Sequence, residues 1–173
     1  MRFSDVALAS LAFAATLAAC SSSGHQDGPE AAGVKASYSK SSGKLELITY
    51  DTNKDGKVDA WSHMDGTRLV SMDIDRNFDG SVDRWEYYAA DGSLEKVGMS
   101  RAGDGKVDAW AYQGADGQVA RMDVDSDHDG NVDTWETYAN GALASVELDT
   151  DRDGKPDRRL TYGPSGVKAE KLK

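Results

Sequence analysis

A nine-residue acidic segment recurs five times along the chain, and this repeat restricts the possible folds more than any other feature. Each copy has glycine at its sixth position and aspartate at its ninth. The copies start at residues 51, 75, 100, 125 and 149, so the period is 24 or 25 residues. A repeat of this length is one supersecondary unit, which buries its apolar face only against neighbouring units. The sequence therefore predicts one repetitive domain.

A turn signal lies between successive copies. The turn dipeptides are Ser42-Gly43, Asp65-Gly66, Asp91-Gly92, Asp116-Gly117, Asn140-Gly141 and Ser165-Gly166. Asp-Gly and Asn-Gly are strong hairpin signals, because both turn residues are expected to adopt positive φ. Apolar side chains alternate along the following runs, as in Val70, Met72 and Ile74, which is the period of a β-strand.

These signals predict an all-β fold, an antiparallel meander of six hairpins or about twelve strands. The acidic segments would then lie along one edge of the sheet, and the tight turns along the other. A sheet of this size must curl, close or fold over itself to cover its apolar face. The sequence leaves open whether it is an open curled sheet, a barrel or a sandwich.

All four tryptophans occupy the eleventh position of a copy, and only the fifth copy differs, with Arg159. These residues are Trp61, Trp85, Trp110 and Trp135, with Tyr87, Tyr112 and Tyr138 nearby. Trp85 and Tyr87 are two residues apart, so they share one face of a strand. Such rows form either the core of a sheet or a platform that stacks on sugars or on a partner.

The spacing of oxygen-bearing side chains in each copy suits a hard cation. Ca²⁺ takes six to eight oxygen ligands, and positions 1, 3 and 5 of a tight loop bring three side chains to one point. Position 7 supplies a backbone carbonyl, and position 9 supplies an aspartate. Four copies meet these requirements. Their predicted ligands are Asp51, Asn53, Asp55, Lys57 and Asp59; Asp75, Asn77, Asp79, Ser81 and Asp83; Asp125, Asp127, Asp129, Asn131 and Asp133; and Asp149, Asp151, Asp153, Lys155 and Asp157.

Two of these copies carry a further acidic residue at position 12, Glu86 and Glu136. In calcium-binding loops of twelve residues, a glutamate at position 12 is a bidentate ligand. These two copies are therefore expected to bind most strongly. The third copy has Ser100 and Ala102 at positions 1 and 3 and is expected to be empty.

The loops resemble the calcium loops of EF-hands and of thrombospondin type 3 repeats, and the copy at 149–157 is especially similar to bacterial forms of the latter. The resemblance covers only the loops. It implies calcium as the cofactor, with up to four ions, which would change the formal charge from -10 to -2. The alternative is that the loops are Asp and Asn turns capped by their own side chains.

The N-terminus has the pattern of an export signal. An apolar run of residues 6–19 precedes Cys20, the only cysteine of the chain, and this run is too short to span a bilayer. Leu-Ala-Ala-Cys resembles the lipobox of bacterial lipoproteins, which implies lipidation of Cys20. We expect a signal peptide at 1–19, a lipidated cysteine and flexible linker at 20–37, and the repeat domain at 38–173. By the sorting rule of such proteins, Ser21 indicates the outer membrane.

The formal charge of -10 argues against a nucleic-acid partner, because phosphate contacts require clusters of Lys and Arg. No histidine is placed beside a candidate nucleophile, so the chain is not expected to be an enzyme. The sequence thus predicts a calcium-binding envelope lipoprotein with a structural or interaction role. Its partners would be calcium, the membrane through the lipid anchor, and an envelope protein or polysaccharide. The alternative is a carbohydrate- or polymer-binding surface lipoprotein that uses the aromatic rows, and a carboxylate-based hydrolase is third.

Overall fold

The computed structural model describes residues 33–172 and consists of twelve β-strands. In chain order the strands are β1 (Val34–Tyr38), β2 (Leu45–Tyr50), β3 (Ala60–Asp65), β4 (Arg68–Ile74), β5 (Arg84–Tyr88), β6 (Leu94–Met99), β7 (Ala109–Gln113), β8 (Val119–Val124), β9 (Thr134–Ala139), β10 (Ala142–Leu148), β11 (Arg158–Gly163) and β12 (Gly166–Lys171). Within these residues, no helix is long and apolar enough to cross a membrane.

Every strand pairs with its neighbours in sequence, and every pairing is antiparallel. The twelve strands form one sheet in the order β1 to β12. The predicted all-β meander is therefore confirmed. Of the alternatives that the sequence left open, the structure has the open sheet, since β1 and β12 are its edges and it does not close into a barrel.

The hairpin turns follow the predicted dipeptides, but only one of those dipeptides has two residues with positive φ. At Asn140-Gly141 the φ values are 51° and 72°, as in a type I′ turn. At Asp65-Gly66 only the glycine is left-handed, with φ 66°, and it begins the two-residue turn between β3 and β4. The expectation of paired positive φ was therefore wrong for every predicted dipeptide except Asn140-Gly141. At Gly66 a glycine alone at the first turn position suits a type II′ turn.

The first strand begins earlier than the sequence predicted. Residues 34–37 were assigned to the linker, yet they pair with β2, with Val34 opposite Tyr50 and Ser37 opposite Leu47. Val34 and Ala36 alternate with Lys35 and Ser37, but four residues are too few to distinguish a strand from the polar segment before them, and the strand forms through backbone pairing to β2. The predicted signal peptide and Cys20 lie outside the described residues.

The buried apolar side chains fall on one face of the sheet, here called the aliphatic face. Directly opposed residues share a face, and successive residues alternate between faces. The buried hydrophobic residues of this face are Ala60, Val97, Ala109, Ala111, Val124 and Val146. Tyr88 and Tyr138 lie on the same face, and their hydroxyls reach the sulfurs of Met72 and Met122 at 4.0 and 3.8 Å. The core is thus a layer of small side chains beside larger ones.

The four tryptophans lie on the opposite face, here called the aromatic face, and each is half-buried. In the centre of the sheet, Gly98 of β6 lies directly between Trp85 and Trp110 in the pairing register. A Cβ atom at Gly98 would be 3.0 Å from Cζ3 of Trp110, so the indole ring packs against the glycine backbone. Lys96 Nζ lies 4.4 Å from the centroid of the Trp110 ring. The row is therefore separate from the aliphatic core.

Candidate functional site

The five acidic segments are the five connections at one end of the strands, from β2–β3 to β10–β11. We number them the first to fifth loops in chain order. In the first four loops, the backbone carbonyl of the ninth-position aspartate accepts a hydrogen bond from the first residue of the next loop. In the first loop the Asp59 N–H donates to the carbonyl of Tyr50 at 2.7 Å, and the Asp59 carbonyl accepts from the N–H of Asp75 at 2.8 Å. Asp108 likewise accepts from Asp125 at 2.8 Å. The loops therefore form a continuous ladder.

In the first, second, fourth and fifth loops, the carboxylate at position 1 accepts hydrogen bonds from backbone N–H groups later in the same loop. In the second loop, Asp75 accepts hydrogen bonds from the N–H groups of Asp79 at 3.3 Å and Gly80 at 2.7 Å. Asp79 in turn accepts from the N–H of Ser81 at 2.8 Å. The sixth position requires glycine because the backbone is left-handed there, with φ 95° at Gly80, a conformation that glycine adopts without steric cost. The turn therefore holds the position-1 carboxylate against the backbone of positions 5 and 6.

The ninth-position carboxylate closes each loop from the other end. Asp59 accepts hydrogen bonds from the backbone of Thr52 at 2.7 Å and of Asn53 at 3.2 Å, and from the Thr52 hydroxyl at 2.8 Å. Partial desolvation tends to raise the pKa of Asp59, but these hydrogen bonds outweigh it and hold the pKa below its ordinary value. Capping by the loop's own side chains is therefore present in the structure.

Three carboxylates converge in each of two loops. In the fourth loop, oxygens of Asp125, Asp127 and Asp133 lie within 4.8 Å of one another. In the fifth loop the same holds for Asp149, Asp151 and Asp153. Such separations suit oxygens that share one cation at about 2.3 to 2.6 Å. These two triplets are the most concentrated acidic sites among residues 33–172.

Charge crowding is visible in the fifth loop. Partial desolvation and the neighbouring carboxylate of Asp153 raise the pKa of Asp151 above its ordinary value. Like charges held close together favour the protonated form of one of them. A bound cation would remove this cost.

The first and second loops have asparagine at position 3, and neither contains a carboxylate triplet. The Asn53 amide donates to Asp55 at 3.3 Å, and the Asn77 amide donates to Asp79 at 2.9 Å. The side chains of positions 3 and 5 are thus in contact in these two loops. The seventh residues Lys57, Ser81, Asn131 and Lys155 all donate their N–H to the position-5 aspartate, and a ligand role for their carbonyls stays a prediction.

The two position-12 glutamates have partners in the sheet. Glu86 lies on β5, where Arg84 Nε donates to it at 2.7 Å and the Tyr88 hydroxyl donates at 2.5 Å. Glu136 on β9 accepts from the Tyr138 hydroxyl at 2.5 Å. The structure does not place either glutamate in a carboxylate triplet, because strands resume directly after position 9 and direct these side chains onto the aliphatic face. A ligand role for them stays a prediction.

The third loop keeps the same backbone path without the acidic residues of its neighbours. Asp108 caps the N–H groups of Arg101 and Ala102, each at 2.8 Å. Ser100 donates its hydroxyl to Asp104 at 3.3 Å. The loop therefore offers one carboxylate among positions 1, 3 and 5.

Side chains at the fourth position of two loops contact the preceding loop. Arg152 of the fifth loop forms an ion pair with Asp127 of the fourth, with 2.6 Å between Nη2 and Oδ2. His128 of the fourth loop lies beside Asp108 of the third, with 3.7 Å between Nδ1 and Oδ2. Both residues have positive φ, 64° and 60°. The sequence analysis did not predict these contacts. The available signal was that position 4 is occupied by a long side chain, His128 or Arg152, where the third loop has Gly103.

No protein-family model and no curated protein sequence matches the chain. Solved structures that it resembles include TarM, with a TM-score of 0.45 and 12% identity over 55% of this chain and 18% of that chain. The accessory secretory protein 1, 2 and 3 structure from Streptococcus pneumoniae matches with a TM-score of 0.30 and 13% identity, over 80% of this chain and 19% of that one.

A complex of GtfA/B bound to UDP and GlcNAc matches with a TM-score of 0.27 and 11% identity, over 73% of this chain and 22% of that one. The chain thus spans between 18% and 22% of these three proteins. Similarities of this size assign neither a family nor an activity to it.

Proposed function

We propose that the protein binds calcium in its first, second, fourth and fifth loops and works as a non-enzymatic structural or interaction module of the bacterial cell envelope. It is anchored in the outer membrane through lipidated Cys20. Calcium is the cofactor, with up to four ions. The carboxylate triplets favour the fourth and fifth loops as the strongest sites, whereas the position-12 glutamates predicted the second and fourth. An envelope protein or a polysaccharide is the partner.

The observation that carries this proposal is the pair of carboxylate triplets in the fourth and fifth loops. In a turn that is only capped by its own side chains, one carboxylate can accept hydrogen bonds from several backbone N–H groups, as Asp108 does in the third loop. Three carboxylates around one point repel each other without a counter-ion. Calcium suits the site better than magnesium, which keeps its waters and demands octahedral geometry.

Bound calcium would stabilise the folded state at the end of the sheet where the five loops lie. The chain has one cysteine and therefore no internal disulfide, and its core consists of small side chains. A ligand that binds only the folded state stabilises it by RT ln(1 + [L]/Kd), which is about 1.4 kcal/mol per site at a concentration ten times Kd. Four filled loops would add several kcal/mol, comparable to the whole stability of a small domain.

The experiment is a calcium titration by calorimetry, with melting temperatures measured with and without calcium. Asp153→Asn and Asp104→Asn form a matched pair, because each residue is at position 5 and accepts an N–H from position 7, at 2.9 and 3.0 Å respectively. Asparagine keeps that acceptor and removes one charge. We expect Asp153→Asn to weaken calcium binding by the fifth loop and Asp104→Asn to leave the titration unchanged.

Absence of calcium binding up to several millimolar, the weak end of the range for extracellular calcium modules at about 10⁻³ M, would contradict the proposal. Equal effects of the two substitutions would also contradict it, since they would show that the turn and not the triplet matters. A rise in melting temperature with calcium that Asp104→Asn retains and Asp153→Asn reduces is the supporting result.

A second candidate function is carbohydrate or polymer binding by the aromatic face. The specific observation in its favour is that the tryptophans are half-buried and lie on the face away from the aliphatic core. Trp85 and Trp110 lie on alternate strands, which places their backbones about 9.5 Å apart, a regular spacing along which an extended glycan could stack. Affinity electrophoresis in soluble polysaccharides tests it, and Trp85→Ala should abolish any retardation.

A further inference from the structure

The outer side of β12 is an open strand edge. Within residues 33–172, β12 pairs only with β11 and ends the sheet. Every residue of the strand is exposed, and its pairing with β11 has no register shift. A regular exposed edge of this kind can pair with a further strand. β1, the other edge, is shorter, and its pairing with β2 shifts register between Ser37 and Tyr38.

The backbone of β12 determines which residues can bond outward. The Leu172 N–H donates to the Asp157 carbonyl at 2.7 Å, so the residues that bond toward β11 recur at every second position from there. Val167, Ala169 and Lys171 lie between them and direct their N–H and C=O groups away from the sheet. If two copies of β12 pair antiparallel, opposed residues share a face, so the possible registers differ in steps of two residues.

One of these registers pairs opposite charges. With Ala169 opposite Ala169 of a second copy, Lys168 of each copy lies opposite Glu170 of the other. A shift of two residues in one direction places Lys168 opposite Lys168, and a shift in the other direction places Glu170 opposite Glu170. Opposite charges in direct cross-strand pairs stabilise a sheet, and like charges destabilise it. The edge is therefore complementary to itself in the register centred on Ala169.

The same register continues a row of charges that crosses the sheet. On the aromatic face, Glu147, Arg159 and Glu170 lie in one row over strands β10 to β12 and alternate in charge. Arg159 forms ion pairs with both glutamates, with 3.2 Å between its Nη1 and Glu170 Oε1. Lys168 of the second copy would lie next in this row. The alternation of charge would therefore continue from one copy into the other.

We propose that β12 is a self-association surface, through which two copies of the chain pair antiparallel about Ala169 into one continuous sheet. The pairing is two-fold symmetric and uses the same edge of both copies, so it makes a closed dimer and not a fibre. On the aliphatic face it places the row of Val146, Leu160 and Ala169 end to end with the same row of the second copy. The dimer does not depend on calcium or glycan binding.

The test is sedimentation equilibrium of the full chain carrying Cys20→Ser, which excludes lipidation and intermolecular disulfides. The protein concentration is raised to about 1 mM, at which even a weak dimer is populated. We expect a monomer–dimer equilibrium that Lys168→Glu weakens at least tenfold, because it places like charges opposite each other twice. Lys35→Glu is the matched control, since it makes the same change of charge at an exposed position of β1, the other edge strand.

Mixing two variants gives a second readout of the register. Glu170→Lys should also associate weakly by itself, but an equimolar mixture of Lys168→Glu and Glu170→Lys should associate more strongly than either, since the opposed charges are then opposite again. A cooperative melting transition shows that each variant folds. A chain that stays monomeric, or a mixture no stronger than its components, would overturn the proposal. Equal weakening by Lys35→Glu would also overturn it, because that result indicates head-to-tail pairing of β12 with β1.

Discussion

Replacing Gly98 by alanine should destabilise the sheet, although alanine in place of a strand glycine ordinarily stabilises. The ideal Cβ would lie 3.0 Å from Trp110 Cζ3, 3.2 Å from Trp110 Cη2 and 3.2 Å from Val107 Cγ2. Carbon atoms in good contact are about 3.5 to 4.0 Å apart, so the indole ring or the strand must move. Overpacking of this kind costs about 1 to 3 kcal/mol, against a gain of about 0.5 to 1 kcal/mol in backbone entropy.

The net expectation for Gly98→Ala is a loss of about 0.5 to 2 kcal/mol. Gly163→Ala is the matched control, because Gly163 also lies in a strand, has no positive φ and has nothing within 4 Å of its ideal Cβ. It should gain about 0.5 to 1 kcal/mol. The assay is reversible thermal unfolding by circular dichroism, with tryptophan emission to report the movement of Trp110. A Gly98→Ala variant that melts at or above the wild type would refute the packing of Trp110 against Gly98.

Three further perturbations test other parts of the molecule. Arg152→Gln should raise the calcium affinity of the fourth loop about 1.5- to 5-fold, the value of an exposed ion pair, whereas Lys54→Gln at the same position of the first loop should not; calorimetry that finds the two alike contradicts the inter-loop contact. Burial and a carboxylate partner raise the pKa of Tyr88 and Tyr138 above the ordinary 10.0. Their neutral phenols therefore stabilise the fold fully below about pH 10, and this contribution falls as the pH rises further. The double Phe variant should show a shallower alkaline loss of melting temperature, and an equally steep loss would count against the burial. Finally, Cys20→Ser should release the protein from membranes on fractionation, and retention there would disprove the lipid anchor.

The repeat and the hairpins could be predicted because they depend on local chemistry. Gly80 is needed where the backbone is left-handed, at φ 95°, and Asn140-Gly141 makes a two-residue turn wherever it lies between strands. Alternating apolar residues then assign each strand two faces. The number of strands and their antiparallel order follow from these signals without any long-range information.

The candidate site could be predicted in its loops and not in its surroundings. Asp125 and Asp127 converge because they are two residues apart in one turn, which spacing alone reveals. Glu86 accepts hydrogen bonds from Arg84 and Tyr88. These contacts depend on the three side chains sharing one face of β5. The contact of Arg152 with the fourth loop depends on how adjacent loops stack. Neither can be read from the spacing within one copy.

The acidic repeat and the antiparallel all-β meander can be read from the sequence alone, because turn residues and period-two alternation act over a few residues. Only the tertiary structure decided that the sheet stays open and that the tryptophans lie opposite the aliphatic core. It also decided that Asp108 and His128 meet between two loops. The reason is strand register. The sequence of a nine-residue loop does not specify which residues of its neighbours it contacts. The backbone hydrogen bonds between successive loops, such as that from Asp75 to Asp59, set these contacts.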